Sequence, residues 1–349
     1  MHDVQALSEI VQRNCHRSDA RHARDYTMCV YLLKMRELYR WERGFPLTQP
    51  LPTGDLAEWV VARERLWESL EPEEFGCLPV GTVCHDPFDA DGVNAELVPE
   101  GLVYSAGYGR FVKPHFFLGR LLRRERRGGF DICVSSEEYA RDMAAPPAML
   151  RGETIFVRRE SLRRLLWDRV EEWRWQKCPD NAMGRAAGCY PFDRDPEGAL
   201  ERMTDDEIEP TVLHELGEGQ VGRLLGDRWP EMLMAMARTR AEMPLRAVRD
   251  LMADCLVTLP RLLERGTEPS IHFFFANLRG HRPELFPGLG AAYEAWARDT
   301  DPGPLAEAVE AGARHWRETA EVALVLHAGE KGAVGAELLA DYVQSRRLA

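Results

Sequence analysis

Residues 18–43 contain neither proline nor glycine and are rich in Leu, Met, Tyr, Arg and Glu, a texture that predicts a helix. Phe45-Pro46 and the Pro-Leu-Pro at 50–52 end it, because proline cannot continue the hydrogen-bonded ladder. A second helix is expected from Thr53 or Asp55 through Trp59, Leu66 and Leu70, with Asp55 and Glu58 spaced as a capping pair. Between Gly76 and Gly101 the texture changes to clustered Gly, Pro and Asp. Short β-type runs follow at 102–104, 111–122, 130–134 and 154–157, with Arg127-Gly128-Gly129 as a turn signal. A helix is expected over 161–176, and the stretch 178–204 reads as loop. From Thr204 onward the pattern is helical throughout, with new segments starting near Pro230, Pro244, Pro283 and Pro304.

These elements predict a mostly helical protein of two domains. Residues 1–190 form an α+β domain, helices plus a small, mainly antiparallel sheet, and residues 205–349 form an all-helical domain. A chain of 349 residues is long enough for each half to bury its own core. Helix periodicity carries one anomaly: 28–41 is apolar nearly all round, through Met28, Val30, Leu32, Leu33, Met35, Leu38 and Trp41. Such a helix should be largely buried, yet it carries Lys34, Arg36, Glu37, Arg40 and Glu42.

A formal net charge of −12 excludes a protein whose main task is to coat nucleic acid or an anionic membrane. Residues 110–175 are the local exception, with fifteen Lys/Arg against ten Asp/Glu, and a solvated or inter-domain face is preferred to RNA binding there. No apolar run reaches the roughly 20 residues that span a bilayer, and no secretory signal is visible at Met1-His2-Asp3-Val4. The expectation is therefore a cytoplasmic protein without membrane partners. Its eight cysteines, none in a CxxC pair, are read as free thiols. A zinc site from Cys77, Cys84, His85, Asp86, Cys178 and Cys189 fits no usual spacing.

The sharpest chemical pattern is His214-Glu215-Leu216-Gly217-Glu218. His214 and Glu218 are four apart, one helical turn, on a face continued by Val221 and Leu225. The pattern is similar to the HExxH of zinc proteases with the second His replaced by Glu. It makes His214 and Glu218 candidate ligands for a divalent metal (zinc, iron or manganese), and Glu215 a candidate general base. The competing reading is a hydrogen-bonded His–Glu packing pair. Asp254 is the leading third ligand, ahead of Asp250 and His272. Against it, Leu251, Met252 and Cys255 share the opposite face, so Asp250 and Asp254 are expected in solvent.

A second candidate is an anion pocket. Arg36 and Arg40 share one helix face with His22, Tyr26 and Glu37, and Asn14, His16 and Asp19 lie upstream. Guanidinium groups on a buried helix suit a carboxylate or phosphate, which makes Arg36, Arg40, His16 and His22 candidate binders of a small anionic molecule. The bland alternative is an Arg–Glu network. Ser105 to Gly109 matches no phosphate loop and is read as a hairpin turn, and Lys113 with His115 alternate on one strand face as cleft-lining residues.

The string from Arg13 to Ala23, with Tyr31 to Glu37, Arg40-Trp41-Glu42 and the later His214 to Glu218 and Ala253 to Leu256 stretches, resembles a family of uncharacterised bacterial proteins. The resemblance implies no activity. Three functions compete: a metal-assisted enzyme at His214, a small-anion or cofactor-binding protein at Arg36 and Arg40, and a structural or interaction protein with buried polar networks. Whether the chain is an enzyme is left open, and a homo-oligomer is compatible with every reading.

Overall fold

The computed structural model describes residues 3–109, 112–176, 178, 180–330 and 332–349, with the backbone alone at Thr53 and Gln176. Its contacts divide into two compact units, Met1–Trp167 and Asp168–Ala349. The divide lies upstream of the stretch 178–204 expected as loop, which holds a short helix at Ala182–Gly188 and the first turns of the helix that starts at Pro196.

The first unit opens with α1 (Val4–His22), capped by the Asp3 carboxylate on the amides of Gln5 and Ala6. The helix expected over 18–43 is two helices, because a short 3-10 turn at Ala23–Asp25 separates α1 from α2 (Met28–Glu42). Leu7, Val11 and Cys15 recur every four residues on α1 and enter a core with Leu78, Val93, Leu97, Tyr104 and Phe116. Then come α3 (Thr53–Leu70), a small antiparallel pair β1 (Leu78–Val80) and β2 (Val83–His85), and α4 (Ala90–Leu97).

A five-stranded sheet follows: β3 (Leu102–Tyr108), β4 (Pro114–Arg127), β5 (Phe130–Arg141), β6 (Ala148–Arg151) and β7 (Thr154–Arg158). Its order is β3-β4-β5-β7-β6, antiparallel except for the parallel β5–β7 pair, so the sheet is mixed. Residues 105–108, expected as a turn, belong to β3, and the turn begins at Gly109. The Phe111 start of the expected strand lies outside the described residues. Gly128 and Gly129 form the β4–β5 turn with φ of +59° and +84°, where a side chain would be strained. The far half of β4 and the start of β5 carry the Arg120–Arg127 charges on a largely exposed hairpin.

Two expectations are corrected here. Met28, Val30, Leu32 and Leu33 of α2 are exposed, while Met35, Leu38 and Tyr39 are buried against Trp59 and Trp67 of α3, with Tyr31 and Trp41 partly buried beside them. Burial is confined to one face of the first turns and widens toward the C-terminal end of α2. Cys77 and Cys84 form a disulfide, which removes them from both the free thiols and any zinc set. Their side chains lie across the β1–β2 pair, within bonding reach despite the absence of a CxxC.

The last strand leads into α5 (Arg159–Gln176), within which the contact divide falls. The second unit is helical: α6 (Ala182–Gly188), α7 (Pro196–Leu225), α8 (Arg228–Ala235), α9 (Glu242–Ala253), a π-helical turn at Asp254–Thr258, α10 (Leu259–Arg265), α11 (Glu268–Ala276), α12 (Arg282–Leu285), α13 (Pro287–Asp299), α14 (Gly303–Gly329) and α15 (Gly332–Ser345). No strand occurs in it among the described residues. Helix α7 starts upstream of the expected Thr204, with the Asp195 side chain on the Gly198 amide and Pro196 in the first turn. Pro230, Pro244, Pro283 and Pro304 all fall in first turns. The core gathers Val248, Leu251 and Met252 of α9 with Trp316 and Ala320 of α14 and Leu339 of α15. Among the described residues no helix is long and apolar enough to cross a membrane.

Candidate functional site

In the helical unit, the buried stripe Val212, Leu213, Leu216, Val221 and Leu225 packs α7 inward. Gly217 lies on this face, and a Cβ there would stand 3.0 Å from the Ala253 carbonyl oxygen. The missing side chain lets α7 approach the end of α9, which brings Asp254 to His214. The imidazole then lies between two carboxylates, with Nδ1 3.5 Å from Asp254 Oδ1 and Nε2 3.5 Å from Glu218 Oε1. Arg249 Nη2 is 2.9 Å from both Glu218 and Asp250, and Arg282 Nη1 is 2.9 Å from Asp254 Oδ2.

Asp254 is fully buried and Asp250 is half-buried, which corrects the expectation of a solvated face. The face is polar as read, but it meets the polar side of α7 instead of water, and charges pair across the contact. Asp254 also opens the π turn, a geometry that recurs at functional sites.

Burial alone would lower the His214 pKa. Hydrogen bonding to Asp254 and Glu218, with their charges, outweighs it and holds the imidazole well above its ordinary value. Burial likewise opposes ionisation of Glu218, and His214, Arg249 and Arg282 keep its pKa low. The arrangement is a balanced network of three cations (His214, Arg249, Arg282) and three carboxylates (Glu218, Asp250, Asp254). Each of these carboxylates already faces a guanidinium. Among the described residues no group of three or more His, Cys, Asp and Glu is placed to hold a metal ion. Glu215 is half-buried, and its charge acts on Arg249. His272 bonds Tyr293 at 2.9 Å and faces Glu268 at 3.5 Å.

In the first unit the four candidate anion binders separate. His22 pairs with Asp25 at 2.9 Å beside the 3-10 turn. Arg36 is half-exposed, with Nε 3.2 Å from Glu37. His16 stands among Arg63, Trp67 and Gln12, and burial with the Arg63 charge pushes its pKa down to about 3, so the ring is neutral. Arg40 is 3% exposed, and its Nη1 donates to the carbonyls of Pro46 and Gln49, tying down the loop after α2.

Two cavities lie beside these residues. The smaller, about 70 Å³, is lined by Glu37, Arg40, Trp41, Phe45, Leu47, Arg141, Glu160, Arg163 and Arg164. Four guanidinium groups therefore face two carboxylates. Arg141, the last residue of β5, is 1% exposed, and neither its Nε nor its Nη2 has a hydrogen-bond partner among the described residues. Its supports are a 3.8 Å approach to Glu138 and the Trp41 ring, 5.5 Å away. Burial and the charges of Arg164 and Arg158 push Arg141 down to about 9. The Nε atoms of Arg40 and Arg164 are also buried without a hydrogen bond. Burial and the Glu138 charge push Glu160 up, opposed by the Glu138 amide and by Arg141 and Arg158.

The larger cavity is a cleft of about 730 Å³ that shares Trp41 and Glu160 with the first and adds His16, Gln12, Glu9, Glu42, Arg63, Glu137, Glu138 and Tyr139 among its walls. Sequence reasoning found Arg40 and His16 but missed Arg141, Glu160, Arg163 and Arg164. The basic run at 158–164 was the only trace of them, and it was assigned to solvent or a domain face.

Lys113 and His115 are buried in an ion cluster. Lys113 Nζ bonds Asp19 at 2.8 Å and stands 4.0 Å from Asp142, and His115 Nδ1 is 2.6 Å from Asp142. All four are buried, and the backbone amides of Met143 and Ala145 complete the two carboxylates. Burial alone would lower Lys113, but Asp142 and Asp19 raise it. The cluster joins α1 to the sheet.

Two family models match the chain: residues 6–158 fit the N-terminal domain, and residues 163–346 the C-terminal domain, of a family described as of unknown function (DUF6866). No curated protein and no solved structure matches it.

Proposed function

The chain belongs to the DUF6866 family, whose description carries no activity, and we propose that its first unit binds a small oxyanion, a carboxylate or phosphate group, in the arginine cavity. The observation that carries this reading is Arg141, a fully buried guanidinium with two donor nitrogens that meet no acceptor among the described residues. A buried donor left unpaired costs about 1–3 kcal/mol, and more when charged. Guanidinium groups predominate among the residues that line the cavity, and an oxyanion supplies the lone pairs that the Arg141 donors lack. Arg40 fixes the loop that forms one wall, and Arg141 and Arg164 present the donors.

Thermal unfolding of the intact protein in phosphate, sulfate or acetate, against chloride at equal ionic strength, tests the reading. A saturable rise in Tm is expected, because a ligand that binds only the native state stabilises it by about 2.7 kcal/mol at a hundred times its Kd. The rise should vanish in Arg141→Met. No rise beyond chloride with any oxyanion defeats the proposal.

A second reading makes the helical unit a metal-assisted enzyme, with His214, Glu218 and Asp254 as ligands of zinc, iron or manganese and Glu215 as base. The convergence of the first three favours it. The guanidinium groups already paired with Glu218 and Asp254 weigh against it, and favour a packing network. Elemental analysis of protein purified without chelator separates the two.

A further inference from the structure

The two cavities of the first unit have opposite electrostatic character and a common wall. The larger cleft is lined by Glu9, Glu42, Glu137, Glu138 and Glu160 with one guanidinium, Arg63, and a neutral His16; Glu137 pairs with Arg120 and Glu138 with Arg158, which leaves Glu9 and Glu160 as its acidic side. In the smaller, cations outnumber carboxylates. Trp41 and Glu160 line both. A bare oxyanion would satisfy the Arg141 donors and use nothing of the cleft. At about 730 Å³ the cleft is of the size that holds an organic ligand.

Resting on the oxyanion reading, we infer that the ligand is a small zwitterion: its oxyanion sits against Arg141 and Arg164, and an ammonium on the same molecule lies in the cleft against Glu160 and Glu9. The change of sign across the Trp41–Glu160 wall selects for this pairing. Glu160 is suited to the ammonium because one of its oxygens is held by the Glu138 amide at 2.8 Å, which fixes the carboxyl at the wall. Glu138 itself is committed to Arg158 and Ser161, and Glu42 to Arg63. Glu9 is exposed at the rim, and its Oε1 accepts from Gln5 Nε2 at 2.8 Å.

Titration calorimetry of the full chain with three probes tests this: inorganic phosphate, ethanolamine and O-phosphoethanolamine, with acetate and β-alanine as the carboxylate pair. At least one zwitterion should bind about tenfold or more tighter than its oxyanion half, as a charge-assisted hydrogen bond provides. Glu160→Gln should remove most of that advantage while phosphate itself binds more tightly, an opposite response that mere loss of structure would not give. Glu9→Gln, at an exposed position, should reduce the advantage as well and guards against a Glu160 variant that fails to fold. If phosphate or acetate binds and neither zwitterion binds better, the inference falls and the oxyanion reading stands. An advantage unchanged in both variants overturns the place assigned to the ammonium. If no oxyanion binds in any form, both readings fall together.

Discussion

Gly217 and Gly222 lie five residues apart on the same helix and should respond to alanine with opposite signs. A Cβ at Gly222 meets nothing within 4 Å. Alanine there should stabilise by about 0.5–1 kcal/mol, the helix preference of Ala over Gly. At Gly217 the same gain is available, but the new Cβ would stand 3.0 Å from the Ala253 carbonyl oxygen and 3.2 Å from its Cβ. The obstacle is backbone at the end of α9, which cannot swing aside as a flexible side chain does. Overpacking of this kind costs about 1–3 kcal/mol. Because the propensity gain is common to both variants, the difference between them isolates the steric term at about 1–3 kcal/mol. Urea unfolding at fixed m-value reads that difference. Moving α7 from α9 would also part His214 from Asp254, so Gly217→Ala should lower the imidazole pKa seen by NMR. If Gly217→Ala stabilises as much as Gly222→Ala, the close helix contact does not exist and the route by which Asp254 reaches His214 is wrong.

Stability should also follow His214 with pH. Its pKa is raised on folding, so its contribution is fully present below the unfolded value of about 6.5 and is lost as pH rises through the folded value. Tm should therefore fall on the alkaline side, and His214→Gln should flatten that slope; equal slopes in both proteins contradict the ion network. Lys113→Met leaves Asp19 and Asp142 buried together without their common cation, and should cost about 3–5 kcal/mol in urea unfolding. A loss below about 1 kcal/mol, the range of surface pairs, would mean that the cluster is wetter than its burial indicates.

Much of the layout was legible because it is written in local chemistry. Prolines mark the helix starts in the second unit, Gly128-Gly129 marks the hairpin, and the 3.6 period of α7 points His214 inward. What pairs across space was not legible. The polar side of α9 was read correctly as a stripe, but whether a stripe meets water or another helix depends on Gly217, whose role is visible only once two helices touch. The 28–41 helix failed for the same reason: an apolar surface all round says that burial would be favourable, not that a neighbour exists to provide it, and Met28, Leu32 and Leu33 have none in the unit. Cys77 and Cys84 were separated by a turn that folds them together. Arg40 was singled out for its buried charge, yet Arg141 holds the stronger claim. It ends a strand expected to stop at 134, so nothing marked it as buried. Arg163 and Arg164 looked like a solvated run because the direction of the first turns of α5 is set by packing on the sheet.

The central claim is that an oxyanion completes the donors of Arg141. Crystals of the protein grown with selenate, and measured at the selenium edge, test it at atomic level. An anomalous peak inside the arginine cavity is expected, with selenate oxygens within about 2.7–2.9 Å of Arg141 Nε and Nη2, the span of charge-assisted N–H···O bonds. Occupied selenate elsewhere on the surface, with the same two nitrogens turned to water or to Glu160, would contradict it.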